Sequence, residues 1–180
     1  MSAADAASRQ IHLEEITASS FETTKDQARE LLLEYGRFVI AQPGAARFCF
    51  GSLEKEAARL PLSFNEQGGG CIMATVEAGS TEFPAGFIAW RALPTSVAPA
   101  AWELKRLWVR PSGRGLSLGR TLTTAVIDRA HAANRKAIYL DTAPASMAAA
   151  HRLYLELGFQ PCPAYNDNPV EGLVYLAKHL

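Results

Sequence analysis

The chain has 180 residues, 48% apolar and 20% charged, with 18 Lys plus Arg set against 18 Asp plus Glu. That length and balance suit one globular domain and exclude a disordered or fibrous chain. Zero net charge excludes a generic nucleic-acid or membrane-surface binder, which needs a basic excess.

Residues 1–9 are small and polar and read as a loose tail; 10–180 read as the folded unit. The start carries Asp5 and Arg9 and no apolar run, so no signal peptide is read. No uncharged apolar run nears the roughly 18 residues of a membrane span. The cysteines, Cys49, Cys71 and Cys162, are far apart and form no Cys-x-x-Cys. The expectation is a reduced cytoplasmic protein with buried thiols and neither disulfide nor zinc framework.

Ile11 to Ile16 reads as a first strand. Thr24-x-x-Gln27 resembles a capping box opening a helix through Ala28, Leu31, Leu32, Tyr35 and Val39. Pro43-Gly44 breaks that pattern, and Ser52 is placed as the cap of a second short helix through Leu60. A glycine loop, Ser63 to Gly70, leads to strands at Cys71–Glu77, Gly86–Leu93 and Trp102–Arg110, joined by Ala78–Pro84 and Pro94–Pro99. Leu118, Leu122, Ala125, Val126, Ala130 and Ala133 mark a helix ending near Asn134. Ala137–Asp141 reads as a buried strand, and Ala145–Leu157 as a helix stopped by Gly158. Phe159–Tyr165 and Leu173–Ala177 close the chain as strands. Strand, helix, strand in the second half implies local parallel pairing. The fold class is α/β: a single mixed, mostly antiparallel sheet flanked by helices.

Charge is unevenly spread. Residues 1–103 carry 13 acids and 8 bases, residues 104–127 no acid and 5 bases, and the remainder 5 of each. The basic window holds the segment Leu107 to Arg120, where a strand meets a glycine-rich turn and then a helix. Such a turn aims backbone N–H groups at an anion. Arg114 and Arg120 supply charge suited to phosphate, and Lys105, Arg106 and Arg110 complete the excess.

A dinucleotide site competes for this turn. Gly113-x-Gly115-x-x-x-Gly119 nears a dinucleotide fingerprint, with Asp141 placed 22 residues beyond Gly119 as a ribose-binding acid. Against it, Glu103-Leu-Lys-Arg-Leu is too charged for a strand buried on both faces. A NAD(P)-dependent reductase therefore stands behind the following reading.

Val109-Arg-Pro111 followed by Arg114-Gly-Leu-Ser117-Leu-Gly119 resembles the phosphate-binding motif of the GNAT superfamily of N-acetyltransferases, with Ser117 in place of the first glycine. Met147-x-x-Ala150-x-x-Leu153-Tyr154-x-x-x-Gly158-Phe159 resembles the family's next motif, with Met147 where Asn is usual. Tyr165-x-Asp-Asn-Pro169 is similar to one bacterial branch. The resemblance implies an acyl-CoA N-acyltransferase-like fold over 10–180. It further implies acetyl transfer from acetyl-CoA to an amine of a small molecule or peptide, by direct attack in a ternary complex. It places Leu107, Trp108 and Val109 on the pantetheine arm and thioester oxygen, with a bulge near Leu107, and Arg114, Gly115, Leu116, Ser117, Leu118, Gly119 and Arg120 on the pyrophosphate.

Two catalytic residues are expected. Glu103 is the candidate base for an amine with a pKa of about 10.4, and Tyr154 the candidate acid toward a thiol of about 8.5. A non-catalytic acyl-CoA-binding module is the competing reading from another class. His12, His131, His151 and His179 lack ligand spacing, so no metal is expected. Trp90, Trp102 and Trp108 are read as core or groove walls. The acceptor pocket is expected from the first two helices and the Pro163–Pro169 loop, and the acidic remainder suits a cationic amine. A homodimer is a compatible assembly, with neither nucleic acid nor membrane as partner.

Overall fold

A computed structural model describes residues 9–42 and 50–180; Cys49 and the Pro43-Gly44 break lie outside them. Seven strands form one sheet in the order β1-β2-β3-β4-β5-β7-β6. They are β1 (Gln10–Glu15), β2 (Gly70–Ala78), β3 (Thr81–Ala92), β4 (Ala101–Val109), β5 (Ala137–Thr142), β6 (Gln160–Pro161) and β7 (Val174–His179). The helices are α1 (Glu22–Ile40), α2 (Phe50–Ala58), α3 (Leu62–Asn65), α4 (Leu118–Ala132) and α5 (Ala148–Glu156). Among the described residues no helix is long and apolar enough to cross a membrane.

Two cores sandwich the sheet. Alternate residues of β2 and β3 face opposite ways, because side chains on a strand alternate between faces. Met73, Phe87 and Ala89 pack with Leu31, Leu32, Leu53 and Phe64 on one side. Ile72, Ala74, Ile88 and Trp90 pack with Leu118, Leu122, Val126 and Phe159 on the other. Burial on both faces explains the nearly continuous apolar runs of β2 and β3.

Several boundaries differ from the sequence expectation. Helix α1 begins at Glu22, and its N-cap, Phe21, makes no side-chain bond. A turn ahead of it, with Thr17 N–H donating to Ser20 Oγ (3.0 Å), brings the chain into the helix early, so Thr24 lies inside it. Ser52 likewise sits within α2 rather than at its cap. The Ser63–Gly70 loop contains most of α3, anchored by buried Phe64. Strand β3 starts ahead of Pro84, whose pairing with Thr75 falls at a register shift that accommodates the missing donor. Helix α5 starts at Ala148, three residues later than expected, after a turn closed by Met147 N–H on Ala143 O (2.7 Å). Strand β6 is reduced to Gln160–Pro161, because Pro161 and Pro163 cannot donate to a ladder.

Parallel pairing is confined to β4 and β5, and only through Ala101↔Ala137, Trp102↔Ile138 and Glu103↔Tyr139. Beyond Glu103 the two strands part. The cause lies within β4: Phe87 pairs with Trp108 and Ala89 with Lys105, so Arg106 and Leu107 face Ile88 alone. That is a bulge, and Arg106 adopts φ +61 to make it. A non-glycine residue held left-handed costs on the order of 1–3 kcal/mol. Arg106 donates to both carboxylate oxygens of Glu56 at 2.9 and 3.2 Å, which helps to hold that conformation.

Candidate active site

The parting of β4 from β5 opens a cleft with two adjoining cavities. The outer one, about 440 Å³, is lined by Phe38, Trp108, Val109, Arg114, Gly119 and Leu153, among others. The inner one, about 90 Å³, reaches Arg106, Asp141, Tyr154, Asn168 and Glu171. Tyr35, Leu107, Ser146, Met147 and Ala150 border both. Helix α1 forms the lid side, with Phe38 tilted against Trp108 at 5.2 Å between ring centroids.

The turn into α4 closes the outer end. Pro111–Gly113 forms one short 3-10 turn, and Gly113 is closely enclosed: a Cβ there would meet Leu118 Cδ1 at 2.7 Å and Ala85 O at 3.2 Å, so a neighbour would have to shift. Gly115 takes φ +80 and Ser117 φ +58, so the chain twists left-handed twice before the helix. The serine therefore occupies a conformation that glycine adopts freely. Ser117 is the N-cap and makes no side-chain cap bond. The first N–H groups of α4 have no acceptor within the helix by geometry, which suits them to an anion.

The basic window is not a bare cationic patch. Arg110 donates to Glu34 through Nε and Nη2 and lies 3.0 Å from Glu30. Arg106 pairs with Glu56, Lys105 with Glu103 (3.2 Å), and Arg120 with Glu156. Four of the five cations thus have carboxylate partners, three of them from the acidic first part of the chain. This corrects the expectation that the whole excess faces a phosphate. Arg114 is exposed and lines the outer cavity.

Tyr154 lies on α5, is buried and borders the inner cavity, edge-on to Phe159 at 5.7 Å. Burial pushes its phenol pKa up, with Tyr35 and the Asp141 carboxylate adding to the shift. It stays protonated through the neutral range.

Glu103 is fully buried and does not border either cavity. Its Oε2 accepts from Arg91 Nε (2.6 Å). Its Oε1 accepts from Lys105 Nζ (3.2 Å), Tyr165 OH (3.0 Å) and Asn166 Nδ2 (3.3 Å). Burial first, then Glu103, raises the Tyr165 pKa, keeping that phenol a donor.

The sequence reading treated Asp141 only as a ribose-binding acid. It sits at the end of β5, with Oδ2 accepting from Asn166 Nδ2 (3.0 Å) and Asn168 Nδ2 (3.3 Å). Burial alone would raise its pKa; Lys105, the two amides and Arg106 outweigh this and hold it below the ordinary aspartate value. Tyr35 and Phe38 were also missed as site residues, since helical spacing marks core and cleft faces alike. Met147, in place of the usual Asn, borders both cavities and puts its sulfur 4.0 Å from Thr142 Oγ1.

Leu107, Trp108, Val109, Arg114 and Gly119, the residues expected at the cofactor, border the outer cavity. Gly115, Leu116, Ser117 and Arg120 belong to the turn and helix start beside it, and Leu118 is buried against Gly113. Trp90 and Trp102 stack in the core at 5.5 Å. Cys71 is buried with its thiol pKa pushed up to about 12 by burial, aided by Glu15 and Glu56. That environment suits a core residue rather than a nucleophile.

The dinucleotide alternative does not fit this arrangement. Strand β4 is antiparallel to β3 and meets β5 over three residues, so there is no doubly wound parallel sheet behind the turn.

A mixed sheet flanked by helices, whose central strands part beside the start of α4, matches the acyl-CoA N-acyltransferase-like fold. The chain belongs to the acetyltransferase (GNAT) family, whose model matches residues 25–159. Acyl transfer is the chemistry of that family. An uncharacterised N-acetyltransferase of Schizosaccharomyces pombe is 37% identical over 78 residues, a match spanning 43% of this chain and 47% of that protein. The chain thus aligns with about half the length of that curated relative. A GNAT-family acetyltransferase structure from Staphylococcus aureus superposes with a TM-score of 0.70 at 18% identity, covering 94% of this chain and 99% of that one. The ribosomal-protein-alanine N-acetyltransferase of Brucella melitensis gives 0.67 at 20% identity, over 94% and 99%. At such identities the likeness is one of fold.

Proposed function

We propose that the protein transfers an acetyl group from acetyl-CoA to a primary amine of a small molecule or peptide, by direct attack in a ternary complex. The observation that carries this reading is the gap between β4 and β5. It joins an inner cavity bearing Tyr154 and Asp141 to an outer cavity ending at Arg114 and the start of α4. Acetyl-CoA would supply the thioester acyl group and a thiol leaving group. The N–H groups of residues 115–120, with Arg114, would hold its pyrophosphate. Leu107, Trp108 and Val109 would hold the pantetheine arm and thioester oxygen along the edge of β4 that β5 has left.

Tyr154, kept protonated by burial, donates toward the departing sulfur. Glu103, expected as the base, serves in this reading as a positioning residue. Both its oxygens are engaged, and through Lys105, Tyr165 and Asn166 it fixes the loop that walls the inner cavity. The amine then loses its proton to solvent, so kcat/KM should rise with pH up to the pKa of the amine itself.

Thiol release from acetyl-CoA, followed with a panel of amines, tests the proposal. Amine-dependent release supports it. Thermal stabilisation by acetyl-CoA without release for any acceptor would replace it with a non-catalytic binding module. Stabilisation by NADPH alone would overturn both.

A further inference from the structure

The inner cavity holds a carboxylate oxygen that the mechanism leaves unused. Asp141 is 13% exposed in its side chain and engages its neighbours through Oδ2: Asn166, Asn168 and, at 3.9 Å, Lys105. Oδ1 accepts none of these bonds, yet it is not among the buried polar atoms sealed away without a partner. Asp141 is one of the residues that line the inner cavity.

The surrounding charge favours a cation there. Lys105 and Arg106 also border the cavity, but Lys105 lies on Glu103, which Arg91 shares, and Arg106 lies on Glu56. Lys105 and Arg106 are thus each engaged by a carboxylate that does not line the cavity, while the carboxylates on the cavity wall are Asp141 and Glu171. Its remaining wall is part aliphatic, with Val39, Leu104, Leu107, Val170 and Leu173 beside polar side chains. At about 90 Å³ it admits a chain end rather than a bulky group.

Resting on the acyl-transfer reading above, we infer that Asp141 is the residue that holds the acceptor, and that the acceptor is an alkylammonium on a slim apolar stem. Oδ1 accepts from the ammonium while the stem lies along the aliphatic part of the wall. A carboxylate held below its ordinary pKa keeps its charge and binds the cation without taking the proton. Over one turnover the nitrogen sheds two protons to solvent, the C–N bond forms and the C–S bond breaks. The sulfur gains one proton through Tyr154, which solvent restores. Alkylammonium and thioester become amide, thiol and one released proton.

Two acceptors of equal length separate this from a structural role: butylamine, a cation at pH 7, and O-propylhydroxylamine, a neutral nucleophile at that pH. Asp141→Asn keeps a carbonyl oxygen for the Asn166 and Asn168 donors, so the loop stays anchored. The variant should raise KM for butylamine about ten-fold, the loss of roughly one charge-assisted bond. KM for O-propylhydroxylamine and for acetyl-CoA should stay within about two-fold. An equal loss on both acceptors would overturn the assignment. Butylammonium should also protect wild type, and not the variant, against thermal unfolding. Protection without thiol release would sink the acyl-transfer reading and keep the Asp141 site. Wild type that neither turns over butylamine nor is protected by it overturns this inference.

Discussion

The two ends of the cleft are built from different materials. The outer end is local and backbone-made: Gly113, Gly115, Ser117 and the first N–H groups of α4 fall within a few residues of one another. The inner end is assembled from distant segments. Tyr35 comes from α1, Arg106 from the bulge, Asp141 from β5, Tyr154 from α5 and Asn168 from the closing loop. Contiguous backbone suffices for a fixed pyrophosphate. Converging side chains are needed where proton and acceptor must be placed together.

If the inner end is a cooperative side-chain assembly, removing its anchor should cost far more than any change at the outer turn. Glu103→Ala leaves Arg91 and Lys105 facing an empty buried site, and the loss should reach about 3–5 kcal/mol. For a domain of this size that lowers Tm by on the order of 10 °C. Arg120→Ala, which breaks an exposed pair with Glu156, should cost less than about 1 kcal/mol by the same denaturation assay. Equal costs would erase the contrast.

Next in size is chemistry. Tyr154→Phe should lower single-turnover rates about 100-fold or more while acetyl-CoA affinity, read by calorimetry, changes less than about two-fold. Loss of affinity in step with rate would make Tyr154 part of the wall. At the outer end, Arg114→Ala should weaken acetyl-CoA binding about ten-fold with little change in kcat. Arg120→Ala should weaken it less, because that guanidinium already has Glu156.

The Asp141 carboxylate gives a pH test confined to the inner end. Its folded pKa lies below the unfolded value, so its stabilising contribution is present above about pH 4 and lost as pH falls through the folded value. The stability difference between wild type and Asp141→Asn, measured by urea titration, should therefore shrink on acidification below about pH 4. A difference unchanged at low pH would mean that the carboxylate charge contributes nothing.

The smallest effect is expected at the turn. Ser117→Gly removes a left-handed side-chain penalty and should leave the protein unchanged or more stable by up to about 1 kcal/mol. A marked fall in acetyl-CoA affinity in that variant would give the hydroxyl a binding role.

Legibility in the sequence followed the same division. The glycine turn, the helix that stops at Gly158, and the β2–β4 strands could be read because spacing and residue type within one segment determine them. The Thr24 capping box failed because a polar residue near a helix start caps only if the chain enters there, and turn contacts at Thr17–Ser20 set the entry point of α1. Glu103 was placed on the right strand, but most of its partners could not be read, since its four donors come from β3, from β4 and from a loop some sixty residues on.

Charge shows the boundary most plainly. By itself the sequence determined that 18 cations balance 18 anions, that the middle window is basic, and that a helix start follows a glycine turn. Only the tertiary structure decided that Arg110 meets Glu34, Arg106 meets Glu56 and Lys105 meets Glu103. Coulomb attraction depends on distance in space, which counting along the chain does not supply. In the proposed reading, those pairings leave the exposed Arg114 and the backbone of the turn for the anion, and the Oδ1 of Asp141 for the acceptor.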